Sequence, residues 1–171
     1  FTVAAAGTGI SYQWQYAASC AGTFNNIGTN SATLNLNAVT LADAGAYRVV
    51  ITGTCNTVTS SCVILVVNSP VTISAQPASV DICLPLNTAS FSVTAAGTGL
   101  TYQWQVNDGS GFINITTGGN AATLNLTNIT ANMNGYLYRV VLNGTCTNNL
   151  NSAAATLAVN SPVNITTHPQ N

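Results

Sequence analysis

The sequence predicts an all-β protein made of tandem β-sandwiches, on three observations. Apolar and polar residues alternate at period two along most of the chain, with no apolar stripe at helical spacing. The same segments recur about 90 residues apart, the mark of a repeat architecture. Only 3% of residues are charged while 47% are hydrophobic. Thr, Asn and Ser stand in place of charge, which suits exposed strands and turns around a real core.

The repeat is read directly from the residues. Phe1-Thr-Val-Ala-Ala-Ala-Gly-Thr-Gly-Ile-Ser-Tyr-Gln-Trp-Gln15 returns as Phe91-Ser-Val-Thr-Ala-Ala-Gly-Thr-Gly-Leu-Thr-Tyr-Gln-Trp-Gln105. Ser31-Ala-Thr-Leu-Asn-Leu36 returns as Ala121-Ala-Thr-Leu-Asn-Leu126, Tyr47-Arg-Val-Val50 as Tyr138-Arg-Val-Val141, and Gly53-Thr-Cys55 as Gly144-Thr-Cys146. Ser69-Pro-Val-Thr-Ile73 returns as Ser161-Pro-Val-Asn-Ile165. The expected organisation is a repeat lacking its first strand over 1–68, a complete repeat over 69–160, and the first strand of a further repeat over 161–171. Such a window is out of phase with the array it belongs to.

Each element follows from local pattern. In the complete copy Phe91, Val93 and Ala95 alternate with Ser92 and Thr94, then Gly97-Thr-Gly99 turns the chain into Tyr102-Gln-Trp-Gln105. Leu124 and Leu126 alternate with Thr123, Asn125 and Thr127, and Tyr138, Val140 and Leu142 follow with the same period. Thr156 to Val159 close the unit. About seven short strands in a repeat of this length predict an immunoglobulin-like sandwich. Trp14 and Trp104 stand where that fold buries the tryptophan of strand C. Asp43-Ala-Gly-Ala-Tyr47 matches its D-x-G-x-Y tyrosine corner, and Tyr138 takes the same role without the Asp. The usual inter-sheet cystine positions hold Val3 and Val49, and Val93 and Val140. The expected core is therefore Trp14, Trp104, Tyr47, Tyr138, Phe91, Leu124 and Leu126, in immunoglobulin-like sandwiches arranged head to tail.

Through "TYQWQ", "ATLNL", "YRVV", "GTC" and "NSPV" the whole chain resembles the immunoglobulin-like tandem repeats of large surface proteins and adhesins of Bacteroidota-type bacteria. That resemblance implies a stalk or filament module, exported to the bacterial cell surface and partnered by neighbouring copies of the same repeat.

The chemistry-bearing residues are few. Two Arg, three Asp and one His leave no clustered cations for nucleic acid and little for acid–base catalysis. Asp43, Asp81 and Asp108 are scattered, and His168 has no ligand spacing, so no enzyme, metal site or cofactor is expected. The longest apolar run, Val63 to Val67, is strand-sized, so membrane insertion is not expected either. Five cysteines without metal spacing fit an oxidising, extracellular setting. Cys83 and Cys146 share a domain, but strand direction puts them at opposite ends of it. The preferred pairing joins Cys20 to Cys146 across a junction. Cys55 then looks upstream or toward Cys62, and reduced structural thiols are the remaining reading.

Gln13, Gln15 and Arg48, and again Gln103, Gln105 and Arg139, form a polar strip facing outward on one sheet. It is a candidate surface for glycan or lateral packing, or simply a solvated face. The expected function is a spacing or polymerising surface module. Strand addition by residues 162–169 into a neighbour's incomplete first domain is one assembly mode. The alternatives are an adhesin module, with the Tyr16–Phe24 loop as its candidate glycan contact, and an accessory domain of a secreted hydrolase.

Overall fold

A computed structural model describes residues 1–168. The chain separates into two compact units, Phe1–Asn68 and Ser69–Asn171. Nearly every regular element is a strand; the only helical turns among the described residues are single 3-10 turns at Leu41–Asp43 and Ala131–Met133. This all-β, tandem immunoglobulin-like architecture is the fold class that the alternation predicts.

Unit 1 is built on β1 (Ser11–Ala17), β2 (Asn25–Ile27), β3 (Gly45–Thr52), β4 (Thr57–Thr59) and β5 (Val63–Leu65), with sheet order β2-β1-β3-β4 and β5 also on β3. The period-two pattern fixes its register. Tyr12 faces Ile51, Trp14 faces Val49 and Tyr16 faces Tyr47 on the core side, while Gln13 pairs with Val50 and Gln15 with Arg48 outside. The opposing layer is thin. A single bridge, Thr2 to Thr33, lets Leu34 N–H donate to the Phe1 carbonyl at 2.9 Å and the Phe1 amino group donate back to the Leu34 carbonyl at 2.8 Å.

Unit 2 adds β6 (Thr72–Ala75), β7 (Val80–Cys83), β8 (Ala89–Ser92), β9 (Thr94–Ala96), β10 (Thr101–Asn107), β11 (Phe112–Asn114), β12 (Thr123–Leu126), β13 (Leu137–Gly144), β14 (Thr147–Asn151) and β15 (Ala155–Asn160). The main sheet runs β11-β10-β13-β15-β7, with β14 on β13; β12 pairs with β8, and β6 with β9. The N-terminal segment of this unit switches partners. β6 lies antiparallel on β9, and after Pro77 β7 lies parallel on β15, with Val80 opposite Leu157 and Ile82 opposite Val159. Trp104, Phe91, Leu124, Tyr138, Val140, Leu142 and Leu157 fill the core, and Leu126 packs against it half-buried.

The first strand is seated by glycine. A Cβ at Gly144 would lie 2.5 Å from Val71 Cγ2 and 2.9 Å from the Thr98 carbonyl oxygen. Gly97, at φ +154°, leaves the same valine room on its other side. Gly144→Ala is expected to destabilise unit 2 by about 1–3 kcal/mol through overpacking. Denaturant unfolding followed by Trp104 fluorescence in a Trp14→Phe background measures it.

The two tyrosines sit alike. Tyr47 stacks on Phe1 with centroids 4.7 Å apart, and Tyr138 on Phe91 at 4.8 Å. Tyr47 Oη donates to the Asp43 carbonyl at 2.7 Å, closing the corner. The Thr40 backbone N–H, and then its hydroxyl, donate to the Asp43 carboxylate and hold its pKa below the usual range. Burial pushes the Tyr138 phenol up to about 12 from its ordinary 10. The folded state thus keeps this proton more tightly than the unfolded chain. Its contribution to stability is complete below pH 10 and is lost as the pH rises toward 12. Tyr138→Phe is expected to flatten that alkaline limb of a stability–pH curve for unit 2.

Candidate functional site

The polar strip is present on both units, with the same internal wiring. Arg139 Nε donates to Gln105 Oε1 at 2.8 Å, and Gln105 Nε2 to Asn114 Oδ1 at 2.9 Å. Arg48 Nε donates to Gln15 Oε1 at 2.8 Å, and Gln15 Nε2 to Asn26 Oδ1 at 2.9 Å. Gln103 Nε2 donates to the Trp104 and Ile115 carbonyls, and Gln13 Nε2 to those of Trp14 and Ile27. These amides therefore latch each hairpin shut, leaving little of the strip unpaired.

Sequence reasoning missed the aromatic floor beneath the strip. The guanidinium of Arg48 lies 3.8 Å over the Phe24 ring, and that of Arg139 lies 3.9 Å over Phe112. The signal was available, since Phe24-Asn-Asn26 recurs as Phe112-Ile-Asn114. Phe24 is thus a repeated packing element, not an aromatic particular to the Tyr16–Phe24 loop. Unit 2 also carries a polar trough of about 380 Å³ along this face, where Gln105, Asn114 and Arg139 adjoin Asn143, Asn149 and Asn151.

The cysteines require a correction. The expected Cys20–Cys146 bridge is not formed, because Cys20 is bonded to Cys62 with Cα atoms 5.8 Å apart. A junction bridge requires Cys20 to sit in a hairpin loop at the end where the chain leaves its unit. Instead the loop after β1 lies back over the outer face, its Phe24 under Arg48, and so reaches the start of β5. Cys55, Cys83 and Cys146 are free and exposed.

A difference between the units defines a second surface. In unit 2 the segment from Ser69 to Cys83 completes two sheet edges: Val71 and Pro77 are buried on it, β6 pairs with β9, and β7 pairs with β15 while Val80 and Ile82 join the core. Ala155 and Leu157 on β15 are 1% and 0% exposed. In unit 1 nothing among the described residues takes that place. Val63, the counterpart of Ala155, is 45% exposed, whereas Leu65, the counterpart of Leu157, is half-buried against the unit 1 core. The later repeat of the Ser69 segment forms no strand over 162–168, and Pro169, the last residue of the strand expected over 162–169, lies outside the described residues. A cleft of about 260 Å³ reaches in to Trp14 and Tyr47 between Phe1 and Val63. A second, of about 210 Å³, opens at Ala5, Gly7, Ile10, Gly53 and Val58.

Among the described residues no group of three or more His, Cys, Asp or Glu could hold a metal ion, and no helix is long and apolar enough to cross a membrane.

Similar solved structures are tandem immunoglobulin domains. Sidekick-1 immunoglobulin domains 1–4 match at TM-score 0.51 and 17% identity, over 94% of this chain and 46% of that one. The N-terminal four Ig domains of Dscam1 isoform 1.9 match at 0.55 and 15%, over 90% and 38%. Dpr2 Ig1-Ig2, solved in complex with DIP-Theta Ig1-Ig3, gives a match at 0.57 and 18%, over 86% and 56%. The chain spans about half or less of the length of these chains, and at such identity the likeness is one of fold. No curated protein sequence matches. Over residues 1–69 and again over 71–161 the chain matches the family described as "Domain of unknown function (DUF8696)", and it belongs to that family.

Proposed function

We propose that the chain is a structural repeat module of an extracellular surface protein, a spacing or polymerising unit of a stalk or filament partnered by neighbouring copies of itself. One observation carries this reading. The residues that recur between units are consumed by folding: Trp14 and Trp104 in cores, Gln13 and Gln103 in hairpin latches, Arg48 and Arg139 on aromatic floors. The Cys20–Cys62 disulfide supports an oxidising, extracellular location. The likeness of "TYQWQ", "YRVV" and "NSPV" to bacterial surface repeats supports a cell-surface parent, in which 1–68, 69–160 and 161–171 are successive members of the array. Antibodies against the chain should decorate intact producing cells, with no gain on permeabilisation. Signal that appears only after permeabilisation overturns the proposal.

The asparagine-lined trough supports a second reading, an adhesin module that holds glycan on unit 2. Its counterparts of Asn143 and Asn151 in unit 1 are Thr52 and Thr59, so the trough is particular to one copy. A glycan array then shows saturable binding that Asn151→Ala abolishes, whereas a pure spacer shows none.

A further inference from the structure

The few charges of this chain do not pair with one another. Each Asp is held by neutral donors: Asp43 by the Thr40 N–H and hydroxyl, Asp81 by Asn160 Nδ2, and Asp108 by the Ser110 N–H and hydroxyl. Among the described residues neither guanidinium meets a carboxylate. The hydrogen bond that each makes runs from Nε, Arg139 to Gln105 and Arg48 to Gln15. A surface cation without a counter-ion of its own is open to an anion from outside.

Folding uses one edge and one face of Arg139. Gln105 takes the Nε edge, and the Phe112 ring lies against the plane, with Cζ 3.9 Å from its centroid. Gln105 is fixed in turn by donating to Asn114 Oδ1 at 2.9 Å. Both Nη groups are left without a partner among the described residues, on a side chain that already holds one position. Their end-on N–H fork matches the two oxygens of a carboxylate. A fork set in advance gives up little further freedom on binding.

The rest of the trough is neutral. β13 presents Arg139, Val141 and Asn143 on this face, with Gln103 opposite Val141 on one side and Asn151 on the other. Val141 is only 9% exposed, a closed floor along which a ligand lies. Asn143 Oδ1 accepts from the Asn149 N–H at 2.7 Å, which leaves Asn143 Nδ2 free. The side-chain amides of Asn149 and Asn151 are exposed and unpaired among the described residues. An amide offers donor and acceptor side by side, the complement of neighbouring sugar hydroxyls. Arg139 and Asn143 stand four residues apart on one strand, about 13 Å, longer than one sugar ring. A single cation suits a single carboxylate, whereas a densely charged polymer needs clustered cations.

Building on the glycan reading above, we propose that the unit 2 trough takes an acidic glycan with a carboxylate on its terminal sugar, a uronate or sialate cap. The carboxylate sits on Arg139 Nη1 and Nη2, and the neutral sugars behind it run over Val141 toward Asn143 and Asn151. Unit 1 keeps Arg48 but carries Thr52 and Thr59 in place of Asn143 and Asn151, so it lacks the amide half of the site.

Titration of the purified chain with glucuronate-capped and sialate-capped oligosaccharides tests this, each against its own methyl ester and its uncapped neutral parent. The acid is expected to bind at least about tenfold tighter than its ester, through loss of a charge-assisted pair, and the two caps report which acid fits. Arg139→Gln is expected to erase the preference for acid over ester. The ester arm alters only the ligand, so it decides the matter even where Arg139→Gln loosens the hairpin. Acid and ester bound alike overturn the proposal and leave the glycan reading standing, whereas no glycan bound at all overturns both. An acid preference that survives Arg139→Gln also overturns it, since the carboxylate then lies elsewhere. So does a peptide that binds through its C-terminal carboxylate while every acidic sugar fails.

Discussion

Trp104→Ala is expected to cost unit 2 about 3–5 kcal/mol, a large part of the stability of a domain this size. The indole is fully buried, packs 6.4 Å from the Phe91 ring, and donates from Nε1 to the Ala121 carbonyl at 2.9 Å. Truncation therefore opens a cavity and strips a part-buried carbonyl of its donor. Hydrogen exchange reads the outcome unit by unit: the amides of Val140 and Leu157 should lose protection while those of Val49 and Ile51 keep theirs. A loss confined to a few amides around residue 104 would show that the core collapses onto the gap. Trp14→Ala should unfold unit 1 outright, since its buried hydrophobic cluster numbers five residues against thirteen in unit 2.

Reducing Cys20–Cys62 is the second large effect. The bridge spans 42 residues of a 68-residue unit, a loop whose closure restricts the unfolded chain by about 4 kcal/mol in the chain-entropy account. A unit with so small a core has little to set against that loss. Dithiothreitol, or the Cys20→Ser/Cys62→Ser pair, is expected to unfold unit 1 well before unit 2, whose Cys83 and Cys146 are unpaired. Trp14 fluorescence in a Trp104→Phe background follows the one, and Trp104 in a Trp14→Phe background follows the other. Equal midpoints with and without reductant would mean the bridge is incidental.

Much of the fold was legible because sheet registers obey a parity rule. Once Tyr12, Trp14 and Tyr16 face inward, Gln13 and Gln15 must face out, and β3 follows with Tyr47, Val49 and Ile51. The tyrosine corner was legible for a related reason: Asp43, Gly45 and Tyr47 make a local structure whose parts are all close in sequence. The disulfide was not legible from distances along an extended hairpin, because a loop can fold over a sheet face. A different signal pointed to it. Cys20 and Cys62 are the cysteines peculiar to the first copy, the latter standing where the second has Ala154, whereas Cys55 and Cys146 are shared. Two residues that enter a repeat together are candidates for one another. The cation–aromatic floor was hidden because Phe24 stands just before, and Phe112 at the start of, a three-residue strand too short to show a period. The glycine seat needed coordinates, since only they show Val71 packed between Gly97 and Gly144.

Tension along the chain would meet the two units differently. Because Cys20 and Cys62 are covalently joined, the 42 residues from one to the other cannot pay out when unit 1 ruptures, which withholds about 140 Å of contour at ~3.4 Å per residue. Unit 1 behaves as a short-stroke link and unit 2 as a long one. The redox state of a single bond therefore sets how far this piece of the molecule can lengthen under load.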